Sequence, residues 1–258
     1  MDEKALIEKI TSEVIKRLNV PEGISQQTGG ALPGSAPAAL AKYIDHTMLK
    51  AEAPDAAFDQ LCEEAIQWKF CSVCVNSGRV RYVTQKLQGT GIKVCAVIGF
   101  PLGQMDSRAK AFETRRCIAD GANELDMVIN VGALKSGNLK LVEEDIRAVR
   151  RATRSNTVLK VIIETSLLND DEKVIACQLS KKAGADFVKT CSGFSGGGAT
   201  PEDIALMRRT VGPDFGVKAS GGMRNYPRAV AILAAGANRI GAVSSVAIVT
   251  GQEGEGAY

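Results

Sequence analysis

An alternation of short apolar runs with helical patterns, repeated eight times from Tyr43 onward, predicts a (β/α)8 barrel. Two further observations support it. Eight units in about 215 residues suit a closed barrel, whereas a doubly wound open sheet usually uses fewer strands. The breaks Asp120-Gly121-Ala122, Ala183-Gly184-Ala185 and Ala235-Gly236-Ala237 each end a helical pattern just before an apolar run. The strands are expected at 43–46, 72–76, 93–98, 124–130, 158–164, 187–190, 216–219 and 239–241. Helices are expected near 55–68, 78–88, 107–120, 139–154, 170–183, 201–211 and 226–235, with a last short one after Ser244.

The barrel is predicted over 41–258, leaving two N-terminal pieces. In 1–20, Leu6, Ile10, Val14 and Leu18 recur every four residues, flanked by Ile7 and Ile15, and balanced charges fill the opposite face. Residues 21–40 are rich in Gly, Ala, Ser and Pro and read as a flexible linker. A short amphipathic helix on a tether cannot bury its stripe alone, so it docks on a partner or folds back on the barrel. Its sign-balanced polar face argues against an anionic membrane surface. The arrangement resembles the encapsulation peptides that carry enzymes into bacterial microcompartments, which would make shell proteins its partners.

Composition narrows the function classes. A net charge of +3 comes from interspersed signs without a basic block, so nucleic-acid binding has no electrostatic footprint. No apolar run is long enough to span a membrane, and the N-terminus lacks a signal-peptide core. The seven cysteines lie mostly in apolar runs and read as reduced thiols of a cytoplasmic protein. Cys71-x-x-Cys74 lacks a second cysteine pair, and His46 is the single histidine, so the pair is assigned to core packing and no metal or cofactor is expected.

The chemistry is sought at the C-terminal ends of the strands. Lys189 closes strand six and Lys218 closes strand seven, each before a small-residue loop. Buried lysines are rare unless paired or functional. Asp126 sits among large apolar residues on strand four, and Lys160 and Glu164 share one face of strand five. An amine attacks a carbonyl only when unprotonated, and a neighbouring cation and a low-polarity pocket both favour that form. Either lysine could tune the other, with Asp126 and a water moving protons. The chemistry implied is Schiff-base catalysis, set against ordinary salt bridges at a barrel rim. Glycines 196–198, Gly221 with Gly222, and Gly241 with Ser244 fall in three consecutive loops, where backbone N–H groups can approach a phosphate.

These residues carry a resemblance. Tyr43-Ile44-Asp45-His46-Thr47, Val73-Cys74-Val75-Asn76, Val97-Ile98-Gly99-Phe100-Pro101-Leu102-Gly103, Glu124-Leu125-Asp126-Met127-Val128-Ile129-Asn130, Phe187-Val188-Lys189-Thr190 and Val217-Lys218-Ala219-Ser220-Gly221-Gly222 resemble the deoxyribose-phosphate aldolase family over about residues 42–250. The resemblance implies a (β/α)8 barrel that reversibly cleaves 2-deoxy-D-ribose 5-phosphate to D-glyceraldehyde 3-phosphate and acetaldehyde. It implies Lys189 as the imine-forming residue, Lys218 as its tuner and Asp126 as the proton relay. Thr190, Lys160, Gly197, Gly221, Gly222, Gly241 and Ser244 are the candidates for holding the substrate and its phosphate, and a homo-oligomer is expected. Two motifs depart from the family pattern. Cys191-Ser192 replaces Ser-Thr after the lysine, and Val243 replaces the first of two serines after strand eight. The second departure keeps open a Schiff-base aldolase with a different aldehyde acceptor. A catalytically weak cargo or scaffold protein is the rival of another class, and the retained lysines and Asp126 speak against it.

Overall fold

A computed structural model describes residues 36–254, and the segment expected at 1–20 and most of the linker expected at 21–40 lie outside them. The last residues assigned to that linker are helical, forming α1 (Ala36–Ala41). Eight strands follow: β1 (Ile44–Met48), β2 (Ser72–Val75), β3 (Lys93–Ile98), β4 (Glu124–Val128), β5 (Val158–Ile162), β6 (Phe187–Lys189), β7 (Gly216–Ser220) and β8 (Arg239–Ala242). They pair in parallel, strictly in chain order, and β8 closes on β1. The helices between them are α2 (Asp55–Trp68), α3 (Val80–Lys86), α4 (Ser107–Ala119), α5 (Val131–Lys135), α6 (Leu139–Ala152), α7 (Asp170–Lys182), α8 (Pro201–Val211) and α9 (Tyr226–Ala234), and α10 (Ser245–Thr250) follows β8.

The strands are buried on both faces, which is why they read as apolar runs rather than clean alternations. Ile44, Leu125, Val161, Val188, Val217 and Ile240 join the helices in one large core. Truncating one of them to alanine costs about 2–5 kcal/mol. A second, small apolar cluster of Leu49, Cys74, Cys95 and Val97 is separate from it. Cys95 belongs to the barrel interior, where its Sγ reaches Asp126.

Helix boundaries follow local chemistry. Asn169 and Glu172 form a capping box on α7, and Thr200 and Asn225 cap α8 and α9, each with a proline in the first turn. The three expected breaks are left-handed turns, with φ of 111° at Gly121, 89° at Gly184 and 118° at Gly236.

Three elements differ from expectation. Strand four stops at Val128, because the Asn130 side chain accepts the N–H of Ala133 and starts the unforeseen α5. The helix expected at 78–88 opens as a 3-10 turn, Ser77–Arg79. Strand five ends at Ile162, and Glu164 takes φ 61°, so it leaves the face it was expected to share with Lys160. Its carboxylate instead accepts the N–H of Ser192 and fixes the start of the loop after β6.

Candidate active site

Strict strand order makes β6 and β7 neighbours, and in their register Lys189 lies opposite Lys218, as Asp126 lies opposite Lys160 between β4 and β5. The side chains converge inside the barrel. Asp126 Oδ2 accepts from Lys189 Nζ at 2.8 Å and from Lys218 Nζ at 2.7 Å, while Oδ1 accepts from Lys160 Nζ at 3.0 Å and from Cys95 Sγ at 3.1 Å. One carboxylate therefore touches three ammonium groups. All four residues are buried; only Lys189 keeps any exposure, at 2%.

Three charged residues complete the cluster that the sequence reading did not select. Asp45 Oδ2 accepts from Lys218 at 2.5 Å, and its Oδ1 accepts from Ser72 Oγ and from Arg239 at 2.7 Å each. Glu124 receives Lys160 at 2.6 Å and Arg239 at 3.0 Å. Three carboxylates, Asp45, Glu124 and Asp126, thus face four cations, Lys160, Lys189, Lys218 and Arg239. The visible signal was period-two placement: Glu124 precedes Asp126 by two residues on β4, and Asp45 interrupts an apolar run as Asp126 does.

The electrostatics of the two mouth lysines are unequal. Burial disfavours the Lys218 ammonium, but Asp126 and Asp45 together outweigh burial and push its pKa far above the ordinary lysine value. Burial likewise disfavours the Asp126 carboxylate. Lys160, Lys189 and Lys218 outweigh it and hold Asp126 well below the usual carboxylate range. Asp45 is held low by Lys218, Lys160 and Arg239 against its own burial. Lys218, with two carboxylates, is a fixed cation beside Lys189, whose salt-bridge partner among the described residues is Asp126 alone. Losing a proton at Lys189 leaves Asp126 still paired with Lys218 and Lys160. Losing one at Lys218 would strand the charge of Asp45 against Arg239 and the more distant Lys160.

Among the described residues, Cys74, Cys95 and Asp126 are the group that could offer three ligand atoms to a metal, all within 4.8 Å of one another. The Asp126 oxygens are already occupied by three ammonium groups and a thiol, so a cation there must displace them.

The predicted phosphate residues divide into two sets. Gly197, Gly221, Gly222, Gly241 and Ser244 all line one cavity of about 360 Å³ beside the lysines. Thr190 and Lys160 do not. The Thr190 hydroxyl donates to Ser220 O and accepts from Ser220 N, clipping β6 to β7, and Lys160 lies within the ionic cluster. The loops around the cavity fit only without side chains. A Cβ on Gly198 would come 2.7 Å from Gly221 O, and Gly221 has φ 87°. A Cβ on Gly241 would come 3.1 Å from Lys218 Cε. Arg224 and Arg228 also line the cavity, which has no acidic lining residue among the described residues. Arg224 escaped the sequence reading because it follows the glycine loop, where no periodicity marks it, and Arg228 because a charge in the first turn of an expected helix reads as surface.

Comparison with known proteins places the barrel among its relatives. Residues 39–251 match the profile of the DeoC/LacD family aldolases. A deoxyribose-phosphate aldolase of Streptococcus gordonii is 60% identical over 219 residues, 85% of this chain and 99% of that protein. One from Oceanobacillus iheyensis is 58% identical over the same coverage. The tetrameric deoxyribose phosphate aldolase of Aeropyrum pernix superposes with a TM-score of 0.81 at 30% identity, covering 93% of this chain and 95% of that one. A shared barrel, a lysine pair around one aspartate and matches across nearly the whole length of these relatives place the chain in the DeoC/LacD aldolase family.

Proposed function

We propose that this protein is a class I aldolase that cleaves 2-deoxy-D-ribose 5-phosphate to D-glyceraldehyde 3-phosphate and acetaldehyde, reversibly. The observation that carries this reading is the shared Asp126 oxygen, 2.8 Å from Lys189 and 2.7 Å from Lys218. Lys189 is the nucleophile. Asp126 takes its proton, the free amine adds to the aldehyde carbon of the open-chain sugar, and water leaves to give an imine. The departing water takes that proton back from Asp126. The positive imine draws electrons from the C2–C3 bond while the C3 hydroxyl passes its proton through a water to the Asp126 carboxylate. Glyceraldehyde 3-phosphate departs and an enamine of acetaldehyde remains on Lys189. Protonation of the enamine carbon and hydrolysis return the amine. Lys218 keeps its charge throughout, paired with Asp45 and Asp126. The arginine-lined glycine cavity receives the phosphate, where backbone N–H groups and two guanidinium groups suit an anion.

Steady-state assay of sugar-phosphate cleavage tests the reading. Lys189→Ala is expected to lose on the order of 10⁴ or more in kcat/KM, the scale of removing a covalent nucleophile. Retained turnover in that variant sinks the assignment.

The stripe Leu6, Ile10, Val14 and Leu18 supports a finer reading of location, in which residues 1–20 act as a targeting segment and 21–35 as its tether to the barrel. Its partner is a microcompartment shell, and confinement of a volatile, reactive aldehyde gives the arrangement a physical motive. A fluorescent protein fused to residues 1–40 is expected to co-sediment with shells; diffuse fluorescence in their presence ends this reading. The tetrameric Aeropyrum pernix relative supports a homo-oligomer, which light scattering checks.

A further inference from the structure

His46, the chain's single histidine, lies apart from the lysine cluster, and both its ring nitrogens are engaged. It sits on β1 between α2 and α10, 4% exposed, with its ring 5.1 Å from that of Phe70. Nε2 is 2.7 Å from Glu64 Oε2, and Nδ1 is 2.9 Å from Ser245 Oγ. The other Glu64 oxygen accepts from Gln60 at 2.7 Å. Hydrogen bonds from His46 and Gln60 hold Glu64 below the usual carboxylate range against its partial burial. A carboxylate only accepts, so Nε2 donates to Glu64. Nδ1 meets Ser245 Oγ, which also reaches Ala242 O at 2.9 Å. The ring therefore ties α2 to the first residue of α10 through both nitrogens.

Ala242, Val243 and Ser244 line the glycine cavity, and Ser245 is the next residue. We propose that His46 is a positioning residue for the phosphate subsite: bridging Glu64 and Ser245, it holds the loop after β8 in the shape that receives the phosphate. The inference rests on the reading of that cavity given above. The groups facing the ring are Glu64 from α2, held by Gln60, Ser245 from α10 and the Phe70 ring before β2. His46, Val243 and Ser244 also line a second cavity of about 230 Å³, so the ring and the loop share a wall.

His46→Gln keeps a donor toward Glu64 and removes the contact with Ser245. It is expected to raise KM for 2-deoxyribose 5-phosphate about tenfold, the upper end of one hydrogen bond, with kcat unchanged. His46→Asn, which keeps an amide near the Nδ1 position, should restore most of the affinity. Ser245→Ala, which removes the hydroxyl and keeps the histidine, should repeat the Gln effect. Unphosphorylated 2-deoxyribose should be insensitive to all three variants. Arg224→Ala separates the two claims. If it raises KM for the phosphorylated sugar while His46→Gln and Ser245→Ala do not, the inference fails and the cavity reading stands. If Arg224→Ala also leaves that KM unchanged, the cavity reading itself fails.

Discussion

Two adjoining regions of the barrel mouth are built on opposite plans. In the lysine cluster, function resides in side chains: seven ionisable groups are packed so closely that one aspartate oxygen serves two lysines. In the glycine cavity, function resides in the backbone, and side chains are removed so that loops can approach each other. The first plan fixes charge and the second fixes shape. Substitutions in the cluster should therefore act on the chemical step, and substitutions in the cavity on binding. Their meeting point is Gly241, whose missing side chain makes room for Lys218.

Lys218→Met gives the largest effect that separates the plans. Without the second ammonium, Asp126 retains Lys189 and Lys160 as partners. We expect kcat to fall on the order of 10²–10⁴, the range of acid–base contributions. A change confined to KM would show that Lys218 serves binding rather than the chemical step.

Acid sensitivity sets the cluster apart from the cavity. Asp45 and Asp126 are held below the ordinary carboxylate range, so the stability they contribute is fully present above about pH 4. It is lost as pH falls through their depressed values. Lys218 contributes with the opposite sign, fully below its ordinary value near pH 10 and lost only above it. The thermal midpoint should thus be flat from about pH 5 to pH 9 as far as these groups decide it, and Asp126→Asn should weaken its decline in acid. Asp126→Asn should also lower the plateau, since removing one partner of a buried ion pair costs about 3–5 kcal/mol.

The cavity should respond in KM. Gly221→Ala places a Cβ 2.9 Å from Gly198 Cα at a positive φ, and we expect KM for the phosphorylated sugar to rise about tenfold with kcat little changed. Val243→Ser adds a hydroxyl to the lining and should lower that KM by about threefold, the size of one neutral hydrogen bond. An effect confined to kcat in either variant would break the division between the two regions.

The same division explains what the sequence discloses. Asp126, Lys189 and Lys218 stand out because a charge inside an apolar strand run is conspicuous, and strand order then makes the lysines neighbours. Asp45, Glu124 and Arg239 occupy strands too, yet a charge at the first or second position of a run reads as its edge. Lys160 and Thr190 show the limit of such reasoning: residue type and proximity suggest substrate contact, but their polar atoms are committed to Asp126, Glu124 and the Ser220 backbone. The glycine loops announce a close approach without saying what approaches. Arg224 reaches the cavity through the fold of the loop after β7, and Arg228 from the first turn of α9.

Borohydride trapping tests the central claim most directly. The protein is incubated with 2-deoxyribose 5-phosphate, reduced, digested and analysed by mass spectrometry. The account predicts a reduced two-carbon or sugar-phosphate adduct on the peptide carrying Lys189, absent from Lys189→Ala and present at reduced yield in Lys218→Met. An adduct on Lys218 in the wild-type protein, or one that persists in Lys189→Ala, would contradict it.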